Sequence, residues 1–167
     1  PYKFDLELAK RVEARVGKVD LIVANHVFAH IDNLDEVFEG IDYLLKDDGA
    51  LVFEVGDFTL MKAEGRYDTI YHEHLDQHQI EPWNGFLKRR DMEVKDFYRT
   101  ESQGGSARVY CGRGSECGHV SEFPIARWGE YQDKIEDNQK SLLKRLPERF
   151  CIWGASAKAT TLIHQLG

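Results

Sequence analysis

The sequence lacks the features that mark secreted, membrane-spanning or nucleic-acid-binding proteins. Its 167 residues hold three cysteines (Cys111, Cys117 and Cys151), an odd number without a C-x-x-C pair, so we expect neither a disulfide framework nor a zinc ribbon. No apolar run approaches the roughly 18 residues of a membrane span, and no secretory signal opens the chain. With 22 basic against 29 acidic residues the net charge is −7, which argues against binding nucleic acid through its phosphates. We therefore expect a cytoplasmic protein with no membrane or nucleic-acid partner.

What is present is ordinary globular composition, with 42% hydrophobic and 31% charged residues. The chain begins with Pro1 rather than Met, and its last stretch opens a strand, a turn and a helix. We therefore expect it to be an internal piece of a longer protein.

The first half of the sequence predicts a β-α-β unit. An amphipathic helix over residues 4–16 comes first. The apolar run Val19 to Ala24 predicts a strand buried on both faces of a parallel sheet. Asn33 then caps a helix over residues 34–45, and Ala50 to Val55 forms a second buried strand. The two strands should be parallel, with a right-handed crossover.

The second half predicts an antiparallel hairpin and then a long helix. Pro82 suits the first turn of a helix over about residues 82–90. Strands at Val94 to Tyr98 and Ala107 to Cys111 are joined by a glycine-rich turn. A broken apolar stripe predicts a connecting helix over 126–146. Residues 149–153 then begin another strand that turns into a helix.

Ligands of open parallel sheets bind beyond the carboxyl ends of the strands. Asn25, His26 and His30 follow the first predicted strand, and Glu54 lies near the end of the second. Topology alone therefore brings these four residues to one crevice.

A histidine-rich cluster, Tyr71-His72-Glu73-His74 with His78, is the most informative feature. If residues 71–74 are extended, alternation separates Tyr71 and Glu73 from His72 and His74. The cluster permits a general base, His74 assisted by Glu73 or Tyr71, because imidazole titrates near neutral pH. It also permits a zinc site built from His72, His74 and His78. Surface or core packing is the third interpretation.

Two further positions suit an anion. Arg108 follows the turn Gly104-Gly105-Ser106, whose free backbone N–H groups could also bind a phosphate, although a plain hairpin turn explains the same residues. Gly154-x-x-x-Lys158 stands at a strand–helix turn, but the full P-loop pattern is absent.

In sequence order, these pieces resemble the fourth strand, following helix and fifth strand of a class I S-adenosylmethionine-dependent methyltransferase. The cluster around His74 resembles the narrower signature of sugar C-methyltransferases that act on nucleotide-linked keto-deoxysugars. Two later segments also resemble this family. They are Gly104–Arg108 and Trp153–Thr161, and the second is similar to the start of the family's C-terminal Rossmann-like domain. The segments that carry the resemblance are Asp20–Ile31, Leu34–Leu45, Gly49–Glu54, Tyr71–Leu75, Gly104–Arg108 and Trp153–Thr161.

The resemblance implies methyl transfer from S-adenosylmethionine to the carbon beside the ketone of a nucleotide-linked keto-deoxysugar, after a base has formed the enolate. It implies that His74 is the base, polarised by Glu73, and that His30 and Tyr71 donate to the enolate oxygen or orient the sugar. Ala24 and Asn25 would contact the cofactor. No metal ligand is implied in this chain, since the family's zinc belongs to an upstream module. The implied substrate-binding residues are Glu54, Gly105, Arg108, Ser156 and Lys158.

The implied fold is α/β: the second half of a class I methyltransferase Rossmann-like sheet, a linking helix, and the start of a second Rossmann-like domain. The corresponding boundaries are residues 1–115, 116–148 and 149–167, the last being a truncated substrate-binding domain. Two other functions stay open. One is a zinc-dependent hydrolase using His72, His74 and His78, and the other is a non-catalytic methyltransferase-like scaffold.

Overall fold

The computed structural model describes residues 3–114, 129–151, 153–154 and 156–166. Helices flank a single sheet in this part of the chain. Two short 3₁₀ turns, Phe28–His30 and Ser102–Gly104, follow strand ends. The α-helices are α1 (Leu6–Val16), α2 (Leu34–Leu44), α3 (Phe58–Glu64), α4 (Ile80–Lys88), α5 (Gly129–Arg145) and α6 (Ala157–Leu166).

The sheet has four strands in the order β1-β2-β4-β3. β1 pairs with β2 in parallel, and β4 pairs antiparallel with both of its neighbours. These pairings confirm the α/β class, the parallel strands joined through α2, and the closing antiparallel hairpin. The strands are β1 (Val19–Asn25), β2 (Leu45–Gly56), β3 (Met92–Thr100) and β4 (Ser106–Arg113).

Side-chain caps begin the first two helices. The Asp5 carboxylate accepts a hydrogen bond from the backbone N–H of Leu8 at the start of α1. Asn33 Oδ1 accepts from the N–H of Glu36 and caps α2, as predicted. The two helices pack together at Gly40, where a Cβ would lie 2.9 Å from the Asp5 carbonyl oxygen. Glycine at this position thus permits a close backbone approach.

The main core lies between one face of the sheet and helices α2 and α4. Phe28, Phe38, Phe53 and Trp83 meet in it with ring centroids 4.7 to 5.8 Å apart, in tilted or edge-on arrangements. Leu51, Val109 and other apolar side chains of the inner strands complete this cluster.

The prediction that β1 is buried on both faces is wrong for the described residues. Leu21 is 54% and Val23 55% exposed, whereas Ile22 and Ala24, on the opposite face, pack against the core. β1 is an edge strand with β2 as its neighbour in the described sheet, and no described helix covers the face of Leu21 and Val23. A near-continuous apolar run therefore indicated two buried faces where the described part of the chain covers one.

A smaller cluster joins α3 to α5. Phe58 and Met61 of α3 pack against Tyr131 of α5, with Ile135 beside them. This helix lies within the predicted linking segment, of which residues 116–128 fall outside the described residues.

The strand predicted over residues 149–153 is not formed by those of its residues that the structure describes, 149–151 and 153. Ile152 and Ala155 lie outside the described residues. A strand needs a neighbour to satisfy its backbone hydrogen bonds, and no strand of the described sheet pairs with the described residues of this segment. The helix predicted after it is present as α6.

Candidate active site

A cleft of about 270 Å³ opens at the carboxyl ends of β1 and β2, at the edge where the sheet topology predicted it. The strand ends, the loop between α3 and α4, the hairpin turn and α6 all contribute to its wall. The titratable residues that line it include His26, His30, Arg66, Tyr71, His74 and Lys158.

Residues 71–74 form a tight turn, so the extended geometry considered for them is wrong. The backbone N–H of His74 donates to the carbonyl of Tyr71 at 2.9 Å, which closes the turn. The side chains of Tyr71 and His74 therefore share one side, with ring centroids 4.3 Å apart. Alternation would have placed them on opposite sides.

The contacts of His74 define its neutral tautomer. Nδ1 lies 2.8 Å from the Thr69 carbonyl oxygen, which can only accept, so Nδ1 carries the hydrogen. Nε2 is then the basic nitrogen, and it lies 3.0 Å from the hydroxyl oxygen of Tyr71. Burial lowers the pKa of His74 below its ordinary value, and the nearby charges of His30 and Lys158 act in the same direction. His74 is thus held neutral, and its unprotonated Nε2 accepts a hydrogen bond from the Tyr71 hydroxyl.

Tyr71 and His30 complete this group. Burial raises the pKa of the Tyr71 hydroxyl, which favours its protonated, donating form. His30 Nδ1 lies 2.8 Å from the Glu73 carbonyl oxygen, and its ring centroid is 4.8 Å from that of His74. The structure therefore brings together three of the four residues predicted as catalytic.

The Glu73 carboxylate does not contact His74. It is 61% exposed and lies 3.9 Å from Nε2 of His72, which is itself 85% exposed. The group that orients the His74 ring is the Thr69 carbonyl, and Glu73 contributes its own carbonyl to His30. The predicted polarisation of His74 by the Glu73 side chain has no contact to support it.

The three histidines proposed as zinc ligands are not assembled. His72 points to solvent, while His78 is 8% exposed and its ring centroid lies 5.2 Å from that of Trp83. Burial lowers the pKa of His78 to about 4. Within the described ranges, no three His, Cys, Asp or Glu residues are grouped so that they could hold a metal ion.

Glu54 and Arg108 bind each other across neighbouring strands. Arg108 Nε and Nη2 donate to Glu54 Oε2 at 2.8 and 2.6 Å, and His26 Nε2 lies 3.1 Å from Glu54 Oε1. Burial raises the pKa of Glu54, but the hydrogen bonds from Arg108, Ser102 and His26 outweigh burial, so its pKa is lower than usual. Neither Glu54 nor Arg108 lines the cleft, although both were predicted to bind substrate. Their charges are satisfied within the sheet.

The predicted cofactor residues lie next to the cleft rather than in its wall. Ala24 packs partly against the core, and Asn25 is exposed at the end of β1. His26, the following residue, does line the cleft. Because the other edge and one face of β1 are open in the described part of the chain, these residues supply one wall for a cofactor and do not enclose it.

Of the later predicted substrate residues, Gly105 and Lys158 line the cleft and Ser156 does not. Ser156 Oγ instead accepts from the backbone N–H of Ala159 at 3.4 Å, at the start of α6. Lys158 Nζ lies 3.5 Å from Asp68 Oδ2.

Sequence reasoning missed Arg66 and Thr69. Thr69 acts through a backbone carbonyl, for which a sequence carries no signal. Arg66 stands five residues ahead of Tyr71, and its proximity to the histidine cluster could have been noticed.

The chain resembles a C-methyltransferase. It is 28% identical over 110 residues, 66% of its length, to the C-methyltransferase NovU of Streptomyces niveus. The match spans 26% of NovU, about a quarter of that protein. No model of a known protein family matches the chain.

Two solved structures are similar to parts of the chain. One is the magnesium protoporphyrin IX methyltransferase ChlM from Synechocystis PCC 6803 with bound SAH, at a TM-score of 0.40 and 16% identity, over 58% of this chain and 46% of that one. The other is M1.HpyAVI, at a TM-score of 0.42 and 16% identity, over 80% and 69% of the two chains. No described helix is long and apolar enough to cross a membrane.

Proposed function

We propose that this chain is part of an S-adenosylmethionine-dependent C-methyltransferase that acts beside the ketone of a nucleotide-linked keto-deoxysugar. The observation that carries the proposal is the arrangement of His74, whose tautomer leaves Nε2 as the unprotonated, basic nitrogen beside the Tyr71 hydroxyl in a cleft at the strand ends. The similarity to a protein named as a C-methyltransferase supports the class of reaction. The kind of sugar rests on the resemblance of the motif around His74.

The reaction requires a proton to leave a carbon acid. In the proposed step the C–H bond beside the ketone breaks, its proton moves to His74 Nε2, and its electron pair forms the enolate. The Tyr71 hydroxyl is placed to donate to the developing enolate oxygen once Nε2 has taken up the substrate proton, and the His30 ring, whose Nδ1–H donates to the Glu73 carbonyl, is placed to orient the sugar. S-adenosylmethionine, when bound, supplies the methyl group that the enolate carbon takes up. A positioned base accounts for roughly 10² to 10⁴ in rate, and a lost oxyanion donor costs about 10² to 10³.

The lowered pKa of His74 suits this role. A base acts in its neutral form, and a pKa below the ordinary 6.5 keeps His74 neutral near pH 7. The His30 ring centroid lies 4.8 Å from that of His74, and a charge there also lowers the pKa of His74.

The test follows exchange of the proton beside the ketone with solvent deuterium, by NMR, in the full-length protein. His74→Ala should slow this exchange by about 10² to 10⁴. His72→Ala is the matched control, since His72 lies two residues away and is 85% exposed outside the cleft. Exchange in His74→Ala at the rate of the unaltered protein would remove His74 as the base. No exchange in the unaltered protein would favour the scaffold interpretation.

A further inference from the structure

The end of α3 is capped in part by side chains of α5. The last four carbonyls of an α-helix have no partner within the helix and need one from elsewhere. In α3, backbone N–H groups of the following loop satisfy two of these carbonyls. The other two, on Ala63 and Glu64, accept from Lys134 Nζ at 3.1 Å and from Asn138 Nδ2 at 2.8 Å. The two helices are therefore joined by hydrogen bonds as well as by their small apolar cluster.

The contacts of α5 continue along the loop that follows α3. Asn138 Nδ2 also lies 3.1 Å from the carbonyl oxygen of Gly65, and the Tyr131 hydroxyl donates to the carbonyl of Arg66. Burial raises the pKa of the Tyr131 hydroxyl, which keeps it protonated and able to donate. The main chain of residues 63–66 is thus held by side chains of one helix.

This close approach requires glycine at position 65. Gly65 has a φ of 65°, and a Cβ there would lie 2.7 Å from Asn138 Nδ2 and 2.8 Å from Lys134 Cβ. Any larger residue would be strained in this conformation and would push α5 away from the loop.

The loop that α5 holds leads to the carbonyl that orients His74. The side chain of Gln139, also in α5, is hydrogen-bonded to Tyr67. The Tyr67 carbonyl accepts from the backbone N–H of Ile70 at 3.0 Å, which closes a turn over residues 67–70. Thr69 lies inside this turn, and its carbonyl oxygen is 2.8 Å from His74 Nδ1. The place of the Thr69 carbonyl therefore depends on a turn whose start is held by α5.

We infer that α5 positions the candidate base: Tyr131 and Asn138 act through this loop to keep His74 in the tautomer with an unprotonated Nε2. Both are positioning residues, since neither lines the cleft. The sequence predicted only a connecting role for this helix. The effect on proton exchange rests on the proposed function, whereas the effect on the tautomer rests on the contacts above.

The first test observes the tautomer of His74 directly, by ¹⁵N NMR of the histidine-labelled full-length protein at about pH 8, where imidazoles are neutral. The His74 signals are assigned by their loss in His74→Ala. The unaltered protein should show only the form protonated at Nδ1. Tyr131→Phe, which keeps the ring packed on Phe58, and Asn138→Leu should each introduce the other tautomer, and the double variant more of it. An imidazole that loses its fixed partner distributes its proton over both nitrogens.

Tyr43→Phe is the matched control. Tyr43 also donates its hydroxyl to a carbonyl-type oxygen, on Glu13, but it does so between α2 and α1, and it does not line the cleft. The control should leave the tautomer of His74 unchanged.

The single variants keep the test decisive if the double variant does not fold. Tyr131→Phe loses one hydroxyl and no ring, and Asn138 is exposed on the surface of α5. Folding is checked by circular dichroism. If the folded variants contain only the tautomer protonated at Nδ1, the inference is overturned.

The second test follows proton exchange beside the ketone in the same variants. Loss of one neutral hydrogen bond should slow exchange by about two- to tenfold, less than the loss expected for His74→Ala. Mixed tautomers in variants of a protein that shows no exchange would disprove the proposed function and leave the role of α5 standing. An unmixed tautomer, together with exchange that depends on His74, would disprove the role of α5 and leave the proposed function standing.

Discussion

At the scale of single residues, the candidate site combines side chains, which a sequence shows, with backbone groups, which it does not show. That His30, Tyr71 and His74 lie together could be predicted, because His30 follows a predicted strand and the cluster around His74 resembles the signature of a methyltransferase family. The orientation of His74 could not, since it comes from the carbonyl of Thr69 and from a turn that brings Tyr71 and His74 to one side. Backbone groups are common to all residues and leave no mark in the sequence.

His78 gives a prediction about stability and pH. Its pKa falls from 6.5 to about 4 on burial, so the folded state binds the proton more weakly than the unfolded chain. The stability that neutral His78 supports is fully present above pH 6.5 and is lost as pH falls toward 4, by at most about 3 kcal/mol. Urea unfolding followed by tryptophan fluorescence should show it.

The measurement compares the unaltered chain with His78→Phe, which keeps an aromatic ring against Trp83. Between pH 7.5 and pH 5 the free energy of unfolding of the unaltered chain should fall by about 2 kcal/mol more than that of the variant. Equal losses in both would show that His78 does not titrate on unfolding.

At the scale of helices and strands, most boundaries could be predicted because local signals agreed. Asn33 begins α2 as predicted, and the two hairpin strands pair in the predicted antiparallel sense. The strand predicted at 149–153 failed because a strand is defined by its neighbour, and an apolar segment does not show whether one is present.

Two helical glycines should respond in opposite ways to alanine. In α2 a Cβ at Gly40 would meet the Asp5 carbonyl oxygen at 2.9 Å, so Gly40→Ala should destabilise the chain by about 1–3 kcal/mol as α1 is pushed away. In α4 a Cβ at Gly85 would meet nothing within 4 Å, so Gly85→Ala should stabilise by about 0.5–1 kcal/mol through helix propensity. Urea unfolding followed by far-ultraviolet circular dichroism measures both. A loss of stability in Gly85→Ala as large as that in Gly40→Ala would contradict the role given to the Asp5 contact.

At the scale of the whole molecule, the sheet is unevenly covered. One face packs against α2 and α4, while Leu21 and Val23 lie exposed on the other face of an edge strand in the described part of the chain. The sequence predicted the strand, but it did not predict which of its faces would be buried. An apolar run does not show whether a helix among the described residues packs against each face. An edge strand with apolar side chains is a surface on which chains associate.

We therefore expect this chain, produced alone, to self-associate through β1. Val23→Lys should reduce that association, measured by sedimentation velocity, with little change in the free energy of unfolding, because the side chain is 55% exposed. Val16→Lys is the control, since Val16 is 69% exposed but is the last residue of α1 and not part of a strand. A Val16→Lys effect as large as that of Val23→Lys would assign the association to general surface hydrophobicity.

The turn that carries Tyr71 and His74 limits how this segment of the candidate site can vary over evolution. Between them, Glu73 contributes its main-chain carbonyl oxygen to His30, and the side chains of His72 and Glu73 point to solvent. Other side chains should therefore be tolerated at these two positions. The count between Tyr71 and His74 is fixed, since one inserted or deleted residue would separate a phenol from the imidazole it serves. Selection on this segment would therefore preserve the number of residues more strictly than the identities of the two residues between Tyr71 and His74.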